Sequence, residues 1–252
     1  MLDAVAPYLP NLSAGTAVFA FAIVFAAGVL RGFTGFGFAL AAVPTLTLFI
    51  DPIEAVPATL IVALIAGAEL IPKAWPHVEW RSMRLLLAGA VAGTPLGVYA
   101  LSALPSNVMR GVIGAIVLLS VALLWRGYRF QASPPRAARI GIGMLSGLLN
   151  GGTAMGGPPV IIYFLATSDG VAIGRASMLV YFFFAALWSV TVAGAANLLD
   201  GKTIVFAALM LPFMAIGNRI GDRWFNKSSS GMYYRVALAF LAAVAVLALG
   251  RA

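Results

Sequence analysis

The sequence predicts an all-α polytopic membrane protein built from two inverted-topology repeats, with eight to ten membrane segments. Three observations carry that expectation: the composition, a match of the chain to itself, and the placement of its arginines. Of 252 residues 62% are hydrophobic and 10% charged, and the mean hydropathy is +1.00. A soluble exterior cannot be assembled from so few polar side chains, so lipid must solvate most of the surface.

Apolar runs wide enough to be helical lie at 13–30, 36–50, 53–72, 82–103, 108–126, 138–149, 156–168, 172–196, 203–219 and 231–250. The first lacks a lysine or arginine before it, and a secretory signal needs that positive region, so the run is expected to be a retained span. Several of the others reach the roughly 20 residues of a bilayer crossing, but 36–50, 138–149 and 156–168 do not. At about 1.5 Å per residue, Ile140 to Leu149 climbs half of a hydrocarbon core. The polar stretch that follows, "NGGTAMGGPP", is therefore expected near mid-membrane.

The self-match sets the order of the halves. "GVLRGFTGFG" from Gly28 recurs as "GLLNGGTAMG" from Gly147, and downstream "GTPLG" (Gly93 to Gly97) recurs as "GNRIG" (Gly217 to Gly221). Each repeat is expected to hold a broken, glycine-rich helical hairpin and about three full spans. The expected division is a first repeat over 1–126, a cytoplasmic linker over 127–139 and a second repeat over 140–252. The stretch "WRGYRFQASPPRAAR" carries Arg126, Arg129, Arg136 and Arg139 and no acid, which places it in the cytoplasm by the positive-inside rule. The connections holding Lys73, Arg81 and Arg84, and Arg219, Arg223 and Lys227, are also net positive. All three share one side only if the two halves face opposite ways.

Irregular backbone at membrane depth loses several kcal/mol per unsatisfied group unless it is buried in protein or lines a cavity. The two hairpin motifs should therefore face something polar. Gly32, Gly35 and Gly37 in the first, and Gly151, Gly152, Gly156 and Gly157 in the second, permit sharp turns and close backbone approach. Helix N-termini starting there would aim positive dipole ends inward, and Thr34 and Thr153 would add hydroxyl donors. Arg31 aligns with Asn150, one cationic and one neutral donor. With Met155 these residues form the expected binding site for a small anion, a guanidinium matching trigonal oxygens by paired hydrogen bonds. A snorkelling Arg31 at the end of its span is the bland alternative.

Other features read as structural. "GTPLG" and "GNRIG" suit close helix packing. Glu69 is either a proton-coupling carboxylate or an interfacial group near Lys73, and Arg175 reads as a loop charge. "YFFFAALW", from Tyr181, suits lipid-facing bulk or gate packing.

The net charge of +8 is spread over short connections, which favours topology signals and lipid headgroups over nucleic acid. There is no cysteine and one histidine, so neither a disulfide nor a metal centre is expected, and no cofactor motif is present. No HExxH, GxSxG or phosphate-loop motif occurs, so the chain is not expected to be an enzyme.

At "GFTGFGFALAAVP", "NGGTAMGGPPVIIYF" and "GNRIGDRWF" the sequence resembles the sulfite exporter TauE/SafE family, over about residues 13 to 250. The resemblance implies a bacterial inner-membrane permease for sulfite, organosulfonates or related small anions, with ligand held between the duplicated motifs. Phe36 and Phe38 stand where members often carry more glycine, which would narrow or reshape the pocket. With the cytoplasm negative, an anion leaves downhill by about 2.3 kcal/mol per charge per 100 mV, which favours export without a coupling ion. A proton-coupled importer, an anion channel and a non-transporting scaffold stay open on the residues alone. The sequence is silent on oligomeric state.

Overall fold

The computed structural model describes residues 14–125, 134–168 and 170–228, together with residues 232 and 236. The last apolar run, 231–250, and most of the expected linker lie outside the described residues. Within them the chain is helical: α1 (Ala14–Thr34), α2 (Phe38–Leu46), α3 (Pro52–Ala68), α4 (Ile71–Ala74), α5 (Trp80–Ala103), α6 (Ser106–Trp125), α7 (Arg136–Thr153), α8 (Gly157–Thr167), α9 (Val171–Ala195) and α10 (Gly201–Asn226). A single 3-10 turn, Trp75–His77, joins α4 to α5.

Among the described residues α1, α5, α9 and α10 are each long and apolar enough to cross a membrane. Taken together, α3 and α4 with its following turn are also apolar and long enough, but the two are bent by 60° at the break between them. The protein is a multi-pass membrane protein. The helices α2 and α8, of 9 and 11 residues, rise only about 14–17 Å and cannot span. One expectation needs correcting. The run 138–149 is not a ten-residue half-span, because α7 starts at Arg136, inside the stretch expected as linker, and stays helical through "NGGT" to Thr153. Glycine lowers helix propensity by about 1 kcal/mol, but here each glycine gains a close partner helix, and packing overrides propensity.

That packing is backbone on backbone. Glycines at four-residue spacing form a stripe along one face: Gly89, Gly93 and Gly97 on α5, and Gly143, Gly147 and Gly151 on α7. A Cβ added to Gly93 would land on the carbonyl oxygen of Met144, and one on Gly147 on that of Ala90. On the other side of the molecule Gly28 and Gly32 of α1 interlock in the same way with Gly217 and Gly221 of α10. No side chain larger than hydrogen fits these crossings.

The registers fix directions. Gly89 meets Ile140 and Gly97 meets Leu148, so α5 and α7 run parallel. Gly217 meets Phe25 and Gly221 meets Val29, so α1 and α10 also run parallel. Lys73, just before α5, bonds Asp222 near the end of α10 at 3.1 Å. Thus α5 and α7 begin at the end of the molecule where α1 and α10 finish. Arg81 and Arg84 lie beside Arg136 and Arg139 at that same end, and Arg219 pairs there with Glu69. The three connections expected in the cytoplasm are gathered into one basic end. Between the two glycine-locked pairs, α3 and α9 pack on each other, α3 against α10 and α9 against α5.

The glycine crossings make a signed prediction. Gly147→Ala should lower the unfolding midpoint in detergent by an amount corresponding to about 1–3 kcal/mol. Gly111→Ala, on α6 where an added Cβ meets nothing within 4 Å, should instead raise it by up to about 1 kcal/mol.

Candidate functional site

Both hairpin motifs fold alike. In each, a long helix ends on a threonine, a break of irregular backbone follows at 35–37 and 154–156, and a short helix begins. The Thr34 hydroxyl donates to the Leu30 carbonyl at 2.8 Å and lies 3.3 Å from the Phe36 N–H that it accepts. The Thr153 hydroxyl donates to Leu149 at 2.7 Å and accepts from Met155 N–H at 3.3 Å. Both hydroxyls are thus spent on the helix ends. The next residue turns left-handed, Gly35 at φ 86° and Ala154 at φ 56°, so that its N–H closes on the carbonyl of Arg31 or Asn150.

The breaks enclose a cavity of about 50 Å³, the space of about three to five water-sized spheres. Of the residues expected to bind, Arg31, Gly37, Asn150, Met155 and Gly157 line it. Phe38, Ala39 and Leu40, the first turn of α2, complete one wall, and Ala63, Phe182 and Ala186 stand opposite among others. Gly32, Gly151 and Gly152 do not line it; they sit at helix crossings against Asn218, Thr94 and Gly97. Gly35 lies against Arg175, and Gly156 is packed behind Asn150 on Ser146.

Arg31 is 3% exposed, buried within the protein. One terminal nitrogen, Nη1, donates to the Ala63 carbonyl at 2.9 Å, while Nη2 is buried without a hydrogen-bond partner among the described residues. Gly67 makes room for it, since a Cβ there would stand 2.6 Å from Nη2. The amide of Asn150 donates to the Ser189 hydroxyl at 2.8 Å. No acid is among the cavity's lining residues. Cation, amide and helix N-terminus on a wall free of acids are groups that can donate to an anion.

Arg175 corrects the reading of a loop charge. It lies one turn inside α9, 8% exposed, and its guanidinium donates to the Phe33 carbonyl at 3.0 Å, to the Gly32 carbonyl and to Asp222 at 2.9 Å. The cation also stands 4.0 Å over the Phe225 ring. It therefore caps the carbonyl end of α1 immediately beside Arg31, with Asp222 balancing its charge. Glu69, exposed just past the end of α3, pairs with Arg219 while Lys73 goes to Asp222. Sequence reasoning also missed Ser189 and Asn218. A single hydroxyl in "FFFAALWSV" and an amide inside "GNRIG" were the available signals. The Asn218 amide donates to the Ala66 carbonyl at 3.0 Å, next to the Arg31 pocket.

Two outcomes are expected in thermal unfolding. Asp222→Ala should cost about 3–5 kcal/mol by leaving Arg175 buried without its acid, and the double change Arg175→Met with Asp222→Leu should cost less than that single change. Ala154→Gly should stabilise by about 0.5–1 kcal/mol, since a left-handed alanine is strained where glycine is not.

Residues 20–248 match the family model described as sulfite exporter TauE/SafE. A protein of Cupriavidus necator described as a probable sulfite/organosulfonate exporter TauE is 26% identical over 217 residues, 82% of this chain and 84% of the relative. No solved structure matches the chain. A match to the family model over most of the chain makes this protein a member of the sulfite exporter TauE/SafE family.

Proposed function

We propose that the protein exports small sulfur oxyanions, sulfite or an organosulfonate, across the bacterial inner membrane, holding them near mid-membrane between the two breaks. The observation that carries this reading is Arg31, which lines a cavity with Asn150 and the first turn of α2 and whose Nη2, packed against Gly67, has no hydrogen-bond partner among the described residues. Buried cations are ordinarily fully paired. An oxyanion supplies the missing acceptor, accepting from Nη2 and from the free N–H groups that begin α2. The sulfur substrate class is taken from the family and the relative.

We read the two halves as inverted-topology repeats. The support is that α1 and α7, which carry the matching motifs, run in opposite directions, each locked in parallel to a helix of the other half. In such an arrangement the ligand approaches one break along α1 from one side and the other along α7 from the other, which suits alternating access. Export is favoured by the absence of an acid among the cavity's lining residues and by the engagement of Glu69 with Arg219, since uphill import needs a carrier for a coupling proton. Gly32, Thr34, Gly35, Gly151, Gly152, Thr153 and Gly156 support the breaks, and Arg31, Gly37, Asn150, Met155 and Gly157 face the ligand.

The test is efflux of labelled sulfite and taurine from proteoliposomes, with thermal stabilisation measured on the same preparations. Saturable flux accelerated by anion on the far side is expected, a behaviour no channel shows. Arg31→Met should weaken half-maximal stabilisation by roughly thirtyfold, as expected for a lost charged hydrogen bond of about 2 kcal/mol. Anion stabilisation that survives both Arg31→Met and Asn150→Ala would remove the ligand from this cavity, and a wild-type protein indifferent to every sulfur anion would leave the scaffold reading in its place.

A further inference from the structure

The glycine-locked pair α5 and α7 runs parallel, so both helices begin side by side at the basic end. A helix N-terminus carries unpaired N–H groups and the positive end of the dipole, and acids are the residues that belong there. The start of α10 follows that rule: Asp200 accepts from the Thr203 N–H at 2.8 Å, a bond that holds its carboxyl below the usual carboxylate range. The starts of α5 and α7 do the opposite. Neither has an acid in its first turn. Arg81 and Arg84 on one, and Arg136 and Arg139 on the other, occupy the first two turns and line a single pocket of about 260 Å³ with Leu85.

Arg81, Arg84, Arg136 and Arg139 thus converge with two helix dipoles of one sign. Glu79, immediately before α5, is turned to the Ser82 hydroxyl at 2.5 Å. No ion pair joins Arg81, Arg84 or Arg136 to an acid among the described residues. Arg139 donates to the Pro134 carbonyl at 2.9 Å. The glycine crossing prevents the helices from separating to relieve the repulsion, so an anion bound beside Arg81, Arg84 and Arg136 would be stabilised there.

We infer that this pocket holds the phosphodiester headgroup of an anionic membrane lipid. The charge calls for an oxyanion; the surface beneath it decides which. Arg136, Ile140, Met144 and Leu148 follow one another at four-residue spacing down α7, and the last three are 41%, 43% and 38% exposed. On α5, Val91, Leu96 and Tyr99 are exposed as well. An apolar ridge therefore runs from the arginines into the bilayer, the place of an acyl chain whose phosphate is held above it. A free phosphate or sulfite would use the arginines and leave the ridge unused.

The experiment titrates the delipidated full-length protein, in neutral detergent, with phosphatidylglycerol, cardiolipin, phosphatidylcholine of matched chains and inorganic phosphate. Adducts are read by native mass spectrometry and stability by thermal unfolding. The anionic lipids are expected to bind at roughly tenfold lower concentration than phosphatidylcholine, and inorganic phosphate at matched concentration to leave the midpoint unmoved. Arg136→Gln should raise the midpoint in lipid-free detergent, by relieving like charge at a helix start, and lose most of the rise that phosphatidylglycerol gives the wild type. Lys227→Gln, at the same end but outside the pocket, should retain that rise. Equal binding of anionic and zwitterionic lipid would overturn the assignment, as would a phosphatidylglycerol preference that persists in Arg84→Gln with Arg136→Gln. Stabilisation by inorganic phosphate as strong as by phosphatidylglycerol would overturn it too, making the pocket a site for a free oxyanion.

Discussion

Everything else in this fold rests on two helix crossings at which backbone touches backbone. In lipid, apolar side chains gain nothing by leaving one hydrocarbon surface for another, so close contact and dispersion must hold helices together. The glycine stripes of α5 and α7, and of α1 and α10, bring carbonyl oxygens to where a Cβ would otherwise be. Because those contacts run along several turns, they set register and direction as well as distance. Register puts Arg31 at the level of Asn218 and Gly67, and Asn150 beside α9, so that both reach one cavity.

Two buried arginines near this cavity show how environment separates roles in the same residue type. Arg175 is surrounded by acceptors: two carbonyls at the end of α1, a carboxylate and an aromatic face. Its job is structural, tying α9 and α10 to the point where α1 breaks. Arg31, one residue from a carbonyl that Arg175 caps, has a single carbonyl partner for one of its terminal nitrogens and none for the other. The first arginine holds the break in shape beside the cavity that the second lines.

The span helices were legible in the sequence because a long apolar run has few alternatives in a bilayer, and α5, α6 and α9 lie within two residues of where those runs placed them. The two breaks were legible through their repetition. The ends of α1 and α7 were not, because "RGFT" and "NGGT" look like loop by composition and become helix only where a neighbouring helix presses on the glycines. The same cause blurred the site. Glycine that approaches a ligand and glycine that approaches a helix leave identical letters, and only the partner across the crossing shows that Gly32 and Gly151 do the second. Arg175 was misread because its acid, Asp222, lies far along the chain and gives no local pattern.

The pairing of helices across the halves has a bearing on how the protein is made. The first described helix finds its glycine partner only in the last one, α10, and Val29 waits for Gly221. During synthesis α1 must therefore enter the bilayer with its close-packing face occupied by lipid and keep that face available while nearly all the other helices are inserted. Neither half of the chain holds a complete crossing of its own, since each stripe is answered from the other half. What reads in the sequence as two units is packed as one, and the docking of α10 on α1 closes the wall behind Arg31.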